Sequence, residues 1–210
     1  MCGVIGAFLD RPTLEDFDKL KRVFIESSIR GLHATGLSYL QDGKIYTIKE
    51  AVPARNFEAL DRLHHFIDSD SNLYMIGHCR YSTSDLEFNQ PIANDNIAIV
   101  HNGVISQELP ENWKELYGYD CTTKNDSELI LRCIEAGKTP TSEFADMSMS
   151  VVELHSNRTM NHYRNGKRPL YVSTMPNGRI VTSTRDIAIR SGLSNVSKVG
   201  CSGGKDFQHG

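Results

Sequence analysis

No stretch of this 210-residue chain stays apolar for the roughly 18 residues that a membrane-spanning helix needs. The start lacks the basic region and long apolar core of a secretory signal. A strong excess of one charge is missing too. Lys and Arg number 23 against 26 Asp and Glu, a net charge of -3, so no nucleic acid or other polyanion is implied as a partner. Cysteine is sparse. Cys2, Cys79, Cys121, Cys133 and Cys201 are odd in number and widely scattered, which argues against a disulfide framework. That usage suits a reducing cytoplasm, which also keeps a free thiol alive. No internal repeat and no linker divide the chain, and no cofactor is expected. With 39% apolar and 8% aromatic residues it reads as a soluble globular protein.

What is present is strong patterning. Residues 4–9 form an apolar, β-prone run that suits a buried strand. Residues 13–29 read as a helix, with Leu14, Phe17, Leu20, Val23, Phe24 and Ile25 at three- and four-residue steps and Thr13 as a cap. Residues 36–40 and 44–49 read as a hairpin turned by Asp42-Gly43. A second amphipathic helix is expected over 56–67, short strands over 73–79 and 97–100, and a short helix over 110–117. Asp126 opens a helix with acids at its favourable end. Residues 148–154, 159–163, 170–174 and 179–183 alternate as antiparallel strands, with Asn165-Gly166 and Asn177-Gly178 as hairpin turns. A short helix over 186–191 follows, and residues 200–210 are polar enough to be loosely held. One domain dominated by antiparallel strands is the simplest reading.

The chemistry begins at Cys2. Aminopeptidases remove Met1 when the second residue is this small. The mature chain then starts with a thiol and a free α-amine on one residue. Such a nucleophile carries its own base, acting directly or through a water. The amine has a reference pKa of roughly 7.7–8.0, so part of it is neutral near pH 7. A chance cysteine at an ordinary start is the plain alternative.

Amide cleavage by such a thiol needs oxyanion donors. Asn102-Gly103, after the strand at 97–100, supplies a side-chain amide and a backbone N–H, or else forms a plain turn. Arg80 suits a carboxylate held by two parallel hydrogen bonds, or a structural ion pair. Asp126 suits an ammonium, or a helix cap. His33 and His101 either pair with the thiol or satisfy local hydrogen bonds. His78 and Cys79 are adjacent on a strand, point to opposite faces and cannot easily share a metal, so no metal site is expected.

Taken together, these segments resemble a known family. Cys2-Gly3-Val4-Ile5-Gly6 is similar to the opening motif of class II glutamine amidotransferases, which are N-terminal-nucleophile hydrolases. Arg30-Gly31-Leu32-His33-Ala34-Thr35-Gly36 resembles the family's Arg-Gly-x-Asp-(small)-x-Gly loop. Gly77-His78-Cys79-Arg80-Tyr81-Ser82-Thr83 resembles its Gly-His-Thr-Arg-(Trp/Tyr)-(small)-Thr segment. Asn89-Gln90-Pro91, His101-Asn102-Gly103-Val104-Ile105 and Asn125-Asp126-Ser127-Glu128 resemble three more, and Lys167-Arg168-Pro169-Leu170 and Ser183-Thr184-Arg185-Asp186 two later ones. The matches run in family order over about residues 2–190. They stand nearest the amidophosphoribosyltransferase and hexosamine-phosphate synthase branch.

The resemblance implies an α+β fold of four αββα layers, with two mainly antiparallel sheets between helical layers. It implies hydrolysis of glutamine to glutamate and ammonia through a γ-glutamyl thioester on Cys2. Asn102 and Gly103 would form the oxyanion hole. Arg80 would hold the α-carboxylate and Asp126 the α-ammonium. Tyr81, through its backbone, and Thr83 would line the pocket, and Arg30 would support the nucleophile. Two positions depart from the pattern: His33 stands where the family has aspartate, and Cys79 where it has threonine.

Residues 1–195 are expected to form the glutaminase domain and 196–210 a polar tail. Family members pass ammonia to an attached synthase domain. The chain stops where the glutaminase domain stops, so a separate synthase or transferase is expected to accept the ammonia. Two further readings stand beside this one. The chain could cleave another γ-glutamyl or acyl amide, or it could be a catalytically silent regulatory subunit with Met1 retained.

Overall fold

The computed structural model describes residues 1–82, 85–201 and, for the backbone, 204–208; at Leu86 it describes the backbone alone. Strand β1 (Gly3–Asp10) sits at the centre and is buried on both faces, which explains its unbroken apolar run. Val4 faces one core while Ile5, Ala7 and Leu9 face another, the two-residue period of a strand. β1 pairs antiparallel with β4 (Asn72–Arg80) and β10 (Gly178–Thr182). With β2 (Ala34–Gln41), β3 (Lys44–Glu50), β9 (Tyr171–Met175) and β11 (Val196–Lys198) they build a seven-stranded sheet ordered β11-β9-β10-β1-β4-β2-β3. A second sheet is ordered β12-β8-β7-β6-β5. It comprises β5 (Ile92–Ala93), β6 (Ile97–Val104), β7 (Ser148–His155), β8 (Thr159–Arg164) and β12 (Gly204–Gln208). Every pairing between neighbouring strands is antiparallel.

Three apolar cores separate four layers. Val4, Ile76, Val100, Val152 and Val181 fill the space between the sheets. Gly6 lets the sheets close there, because a Cβ on it would stand 2.9 Å from Val152 Cγ1. Helix α1 (Leu14–Ser27) covers the larger sheet through Leu20, Val23 and Phe24. Its start is a reciprocal cap: Thr13 Oγ1 accepts from Asp16 N, and Asp16 Oδ2 accepts from Thr13 N. Helix α5 (Arg185–Arg190) packs on the same face. On the far side, α2 (Trp113–Tyr117), α3 (Ser127–Glu135) and the short α4 (Pro140–Glu143) cover the smaller sheet through Trp113, Leu129, Ile130 and Phe144. The four-layer αββα arrangement of two antiparallel sheets between helices is therefore as expected. Among the described residues no helix is long and apolar enough to cross a membrane.

Several elements differ from expectation. The stretch 56–67 is not an α-helix but two 3₁₀ turns, Ala54–Asn56 and Glu58–His65, with a kink at Arg62. Its buried residues Phe57, Leu60, Leu63 and Phe66 recur every three positions, the period of a 3₁₀ helix. Asn165-Gly166 does not turn a hairpin, because β8 and β9 belong to different sheets and the segment crosses between them. At the other turn the loop is Pro176-Asn177, and Gly178 already pairs with Met175. The expected tail also carries structure. Val199 is buried between the sheets, β11 pairs with β9, and the backbone of β12 lies along β8. Finally, the strand at 97–100 does not stop there. β6 runs through Asn102 and Gly103, which pair with Ser150 and Met149 of β7, so this Asn-Gly is not a turn.

Candidate active site

Strand parity builds the site. Cys2 lies just before β1, two residues from Val4, and His78 and Arg80 share a face of β4, where Val4 pairs with His78. From the opposite sheet, Val100 and Asn102 point into the same space. Where the apolar filling ends, a cavity of about 380 Å³ opens. That lies within the roughly 300–1,000 Å³ usual for small-molecule sites. Its walls include Cys2, His78, Arg80, Tyr81, Gly103 and Asp126. The charged side chains on them are Arg80, Lys124, Glu108 and Asp126, two of each sign. Such a wall suits a zwitterion better than a simple anion or cation.

Cys2 is held by its backbone. Its N–H donates to Asn102 Oδ1 at 3.2 Å, and its carbonyl accepts from Arg30 Nε at 3.0 Å. Arg30 is half-buried; burial lowers its pKa, and the charge of Cys2 opposes that shift. Because Asn102 Oδ1 faces an N–H donor, the side-chain amide has one sensible orientation, with Nδ2 turned away from Cys2 N. That Nδ2 is buried and without a hydrogen-bond partner. A buried, unspent donor beside a cysteine suits an oxyanion.

Asp126 does not cap α3 through its side chain. Its Oδ2 accepts from Ile105 N at 2.6 Å and Ser106 N at 3.0 Å, which ties the carboxylate to the end of β6. The loop before α3 is fixed by Glu128, which accepts from Thr122, Thr123 and Arg132. Burial pushes the Glu128 carboxyl up, but these hydrogen bonds outweigh it and hold it below the usual range. Arg80 donates through Nη1 to Asp85 O and Asn89 Oδ1, both at 2.7 Å, so its guanidinium is anchored at the cavity wall. Tyr81 lines the cavity and is largely exposed. Thr83 lies outside the described residues.

The histidines are not poised as bases for the thiol. His33 Nδ1 accepts from Ser82 N at 3.1 Å and its ring packs on Tyr81, so it props the segment after β4. His101 Nδ1 meets Ser127 Oγ at 2.9 Å, and Nε2 lies 3.4 Å from Ser148 O. Burial lowers the His101 pKa, opposed by the charge of Asp126. His78 and Cys79 do point apart: His78 lines the cavity, whereas Cys79 Sγ donates to Phe24 O beneath α1. Among the described residues no group of three His, Cys, Asp or Glu side chains could hold a metal.

Burial raises the pKa of three of the other thiols. It pushes Cys121 up to about 12 and Cys133 to about 11, and Cys79 higher still, with the charge of Cys2 adding to the last. Those thiols stay protonated and inert at neutral pH.

His78 gives a pH prediction. Burial, the neighbouring His101 and Arg80 lower its pKa from 6.5 to about 3, and its Nε2 has no partner. The unfolded chain therefore binds a proton between pH 6.5 and 3 that the folded chain does not. The folded state is then fully favoured above pH 6.5 and loses about 1.4 kcal/mol per pH unit below it. His78→Asn should remove that slope. The stability difference between wild type and variant, from denaturant melts, should change by about 2 kcal/mol between pH 7 and 5. Parallel pH profiles would refute the assignment.

Sequence reasoning gave no role to Gln90 or Ser127, though both lie within segments singled out by resemblance. Gln90 donates to His101 O and Ser127 Oγ and accepts from His101 N. The only available signal was an amide beside Pro91 that lacked an obvious surface role.

Comparison with known proteins bears on this geometry. Residues 59–199, more than half of the chain, match the family described as "Glutamine amidotransferase domain". Cys2 and Arg30 fall outside that matched span. Among curated proteins, the glutamine–fructose-6-phosphate aminotransferase (isomerizing) of Caldanaerobacter subterraneus subsp. tengcongensis is 29% identical over 150 residues. The match covers 64% of this chain and 22% of that protein. A protein of the same name from Bradyrhizobium diazoefficiens is 29% identical over 145 residues, covering 65% and 22%. The chain thus spans about a fifth of the length of these relatives. Among solved structures, glutamine phosphoribosylpyrophosphate amidotransferase from B. subtilis, complexed with ADP and GMP, superposes with a TM-score of 0.67. Identity there is 20%, over 95% of this chain and 46% of the other. A structure described as the allosteric regulatory enzyme of purine biosynthesis gives 0.67 at 19% identity, covering 95% and 45%.

Proposed function

The chain belongs to the glutamine amidotransferase domain family, and on that premise we propose that it hydrolyses glutamine to glutamate and ammonia with Cys2 as nucleophile. Removal of Met1 turns the Cys2 nitrogen into an α-amine that still faces Asn102 Oδ1. The amine takes the thiol proton as Sγ attacks the γ-carboxamide carbon. Negative charge moves to the carboxamide oxygen, where Asn102 Nδ2 and the Gly103 N–H receive it. The amine returns the proton to the nitrogen, ammonia leaves, and a γ-glutamyl thioester remains. Water, activated by the same amine, releases glutamate and restores the thiol. Arg80 holds the α-carboxylate and Asp126 the α-ammonium. Tyr81 lines the pocket, and Thr83 is assigned there by resemblance alone. The ammonia goes to a synthase or transferase.

The observation that carries this reading is Asn102. It binds the Cys2 nitrogen through Oδ1 and keeps a buried Nδ2 unpartnered, while Cys2 itself lines a cavity that also presents Arg80 and Asp126. The test is release of glutamate and ammonia from glutamine by the purified chain, with asparagine and γ-glutamyl anilides as competitors. Glutamine should be preferred. Faster turnover of another amide would favour a different amidase, and no turnover of any would favour a silent subunit.

A further inference from the structure

Gln90 is buried where the loop after β4, strand β6 and helix α3 meet. Its hydrogen bonds close a directed circuit. Oε1 accepts from His101 N at 2.6 Å. Nε2 donates one hydrogen to His101 O at 3.1 Å and the other to Ser127 Oγ at 3.0 Å. The Ser127 hydroxyl, having accepted from Gln90, donates to His101 Nδ1, which leaves the His101 Nε2 hydrogen for Ser148 O. Flipping the Gln90 amide would set donor against donor at His101 N, so one orientation is fixed. The three residues are each at most 5% exposed, so a lost arm leaves a buried polar group unpaired. The circuit grips His101, one residue before Asn102, and Ser127, one residue after Asp126.

We propose that Gln90 is a positioning residue for glutamine hydrolysis: it holds the oxyanion strand at Asn102-Gly103 in register with the α-ammonium anchor at Asp126. This rests on the glutaminase reading above. Without the grip on His101, β6 can shift relative to α3, and the attacked carbonyl no longer meets its donors. A displacement of about 1 Å is enough to cost roughly a hundredfold in rate.

The test uses the whole chain and two variants. Gln90→Leu keeps the size and loses every bond. It should lower kcat for glutamine by about 10- to 100-fold. KM should move far less, and alkylation of Cys2 by iodoacetamide, which needs no oxyanion donors, should keep its wild-type rate. Gln90→Glu keeps the acceptor toward His101 N. Its ionised oxygen repels His101 O, but once protonated it can donate there. The ratio of Gln90→Glu to wild-type kcat should therefore rise as pH falls from 8 to 5.5, while the Gln90→Leu ratio stays flat. A folded Gln90→Leu protein with kcat within about twofold of wild type overturns the proposal. So does a loss of iodoacetamide reactivity parallel to the loss of kcat. If Gln90→Leu does not fold, a flat Gln90→Glu ratio overturns it. Wild-type protein that releases no glutamate would sink the glutaminase reading itself, a result distinct from all of these.

Discussion

Replacing Cys2 by alanine should reduce glutamine turnover by about a millionfold, to the limit of detection. The substitution removes a single Sγ from a half-buried residue at the mouth of a cavity, so stability should change by less than about 1 kcal/mol. Three of the other thiols cannot stand in. Burial keeps Cys79, Cys121 and Cys133 protonated. His33 and His101 are committed to Ser82, Ser127 and Ser148 and cannot activate a water in the place of Cys2. Glutamine binding should survive, because Arg80 and Asp126, the proposed clamp, are anchored by other residues: Arg80 by Asn89, Asp126 by the backbone of Ile105 and Ser106. Glutamine should still raise the melting temperature of the variant, as mass action requires of any ligand that binds the folded state alone. Residual turnover within a hundredfold of wild type would remove Cys2 from the mechanism.

Gly103→Ala should damage both stability and turnover. The residue has φ of +143°, which an L side chain rarely adopts. A Cβ there would sit 2.0 Å from Ser148 O, a backbone atom of the paired strand, and 2.9 Å from His101 Nε2. Neither neighbour can swing aside. β6 and β7 must part where Gly103 faces Met149. Strain and overpacking together should cost roughly 2–6 kcal/mol, a large share of a typical domain's stability. Whatever fraction still folds should lose a further 10²- to 10³-fold in kcat, because the displaced residue is the proposed oxyanion donor. Gly118→Ala is the control. Its φ is +79°, but nothing lies within 4 Å of the added carbon. It should cost about 1 kcal/mol and leave kcat unchanged. Equal effects at the two glycines would mean that backbone strain alone matters at Gly103.

The fold was legible where a single period dominates. The run over β1, the three- and four-residue steps of α1 and the alternation of β7, β8 and β10 all formed as their patterns require. The sequence misled where two periods compete. Phe57, Leu60 and Leu63 satisfy a three-residue step that looks helical at first reading but buries fully only in a 3₁₀ turn. Asn165-Gly166 has turn chemistry, yet it joins strands of different sheets, and local sequence cannot say which sheet comes next. Asn102-Gly103 looked like a turn as readily as an oxyanion site. The contact that favours the second reading, with Cys2, spans a hundred residues of sequence. The Gln90 circuit was hidden for the same reason, since its partners come from three elements that only the folded chain brings together.

The central claim is that Cys2, freed of Met1, is the nucleophile toward glutamine. Intact-protein mass before and after exposure to an electrophilic glutamine analogue tests it most directly. The account requires a starting mass without Met1, a gain of one adduct, peptide mapping of that adduct to Cys2 rather than to exposed Cys201, and protection by excess glutamine. A retained Met1, or an adduct absent from Cys2, would contradict it.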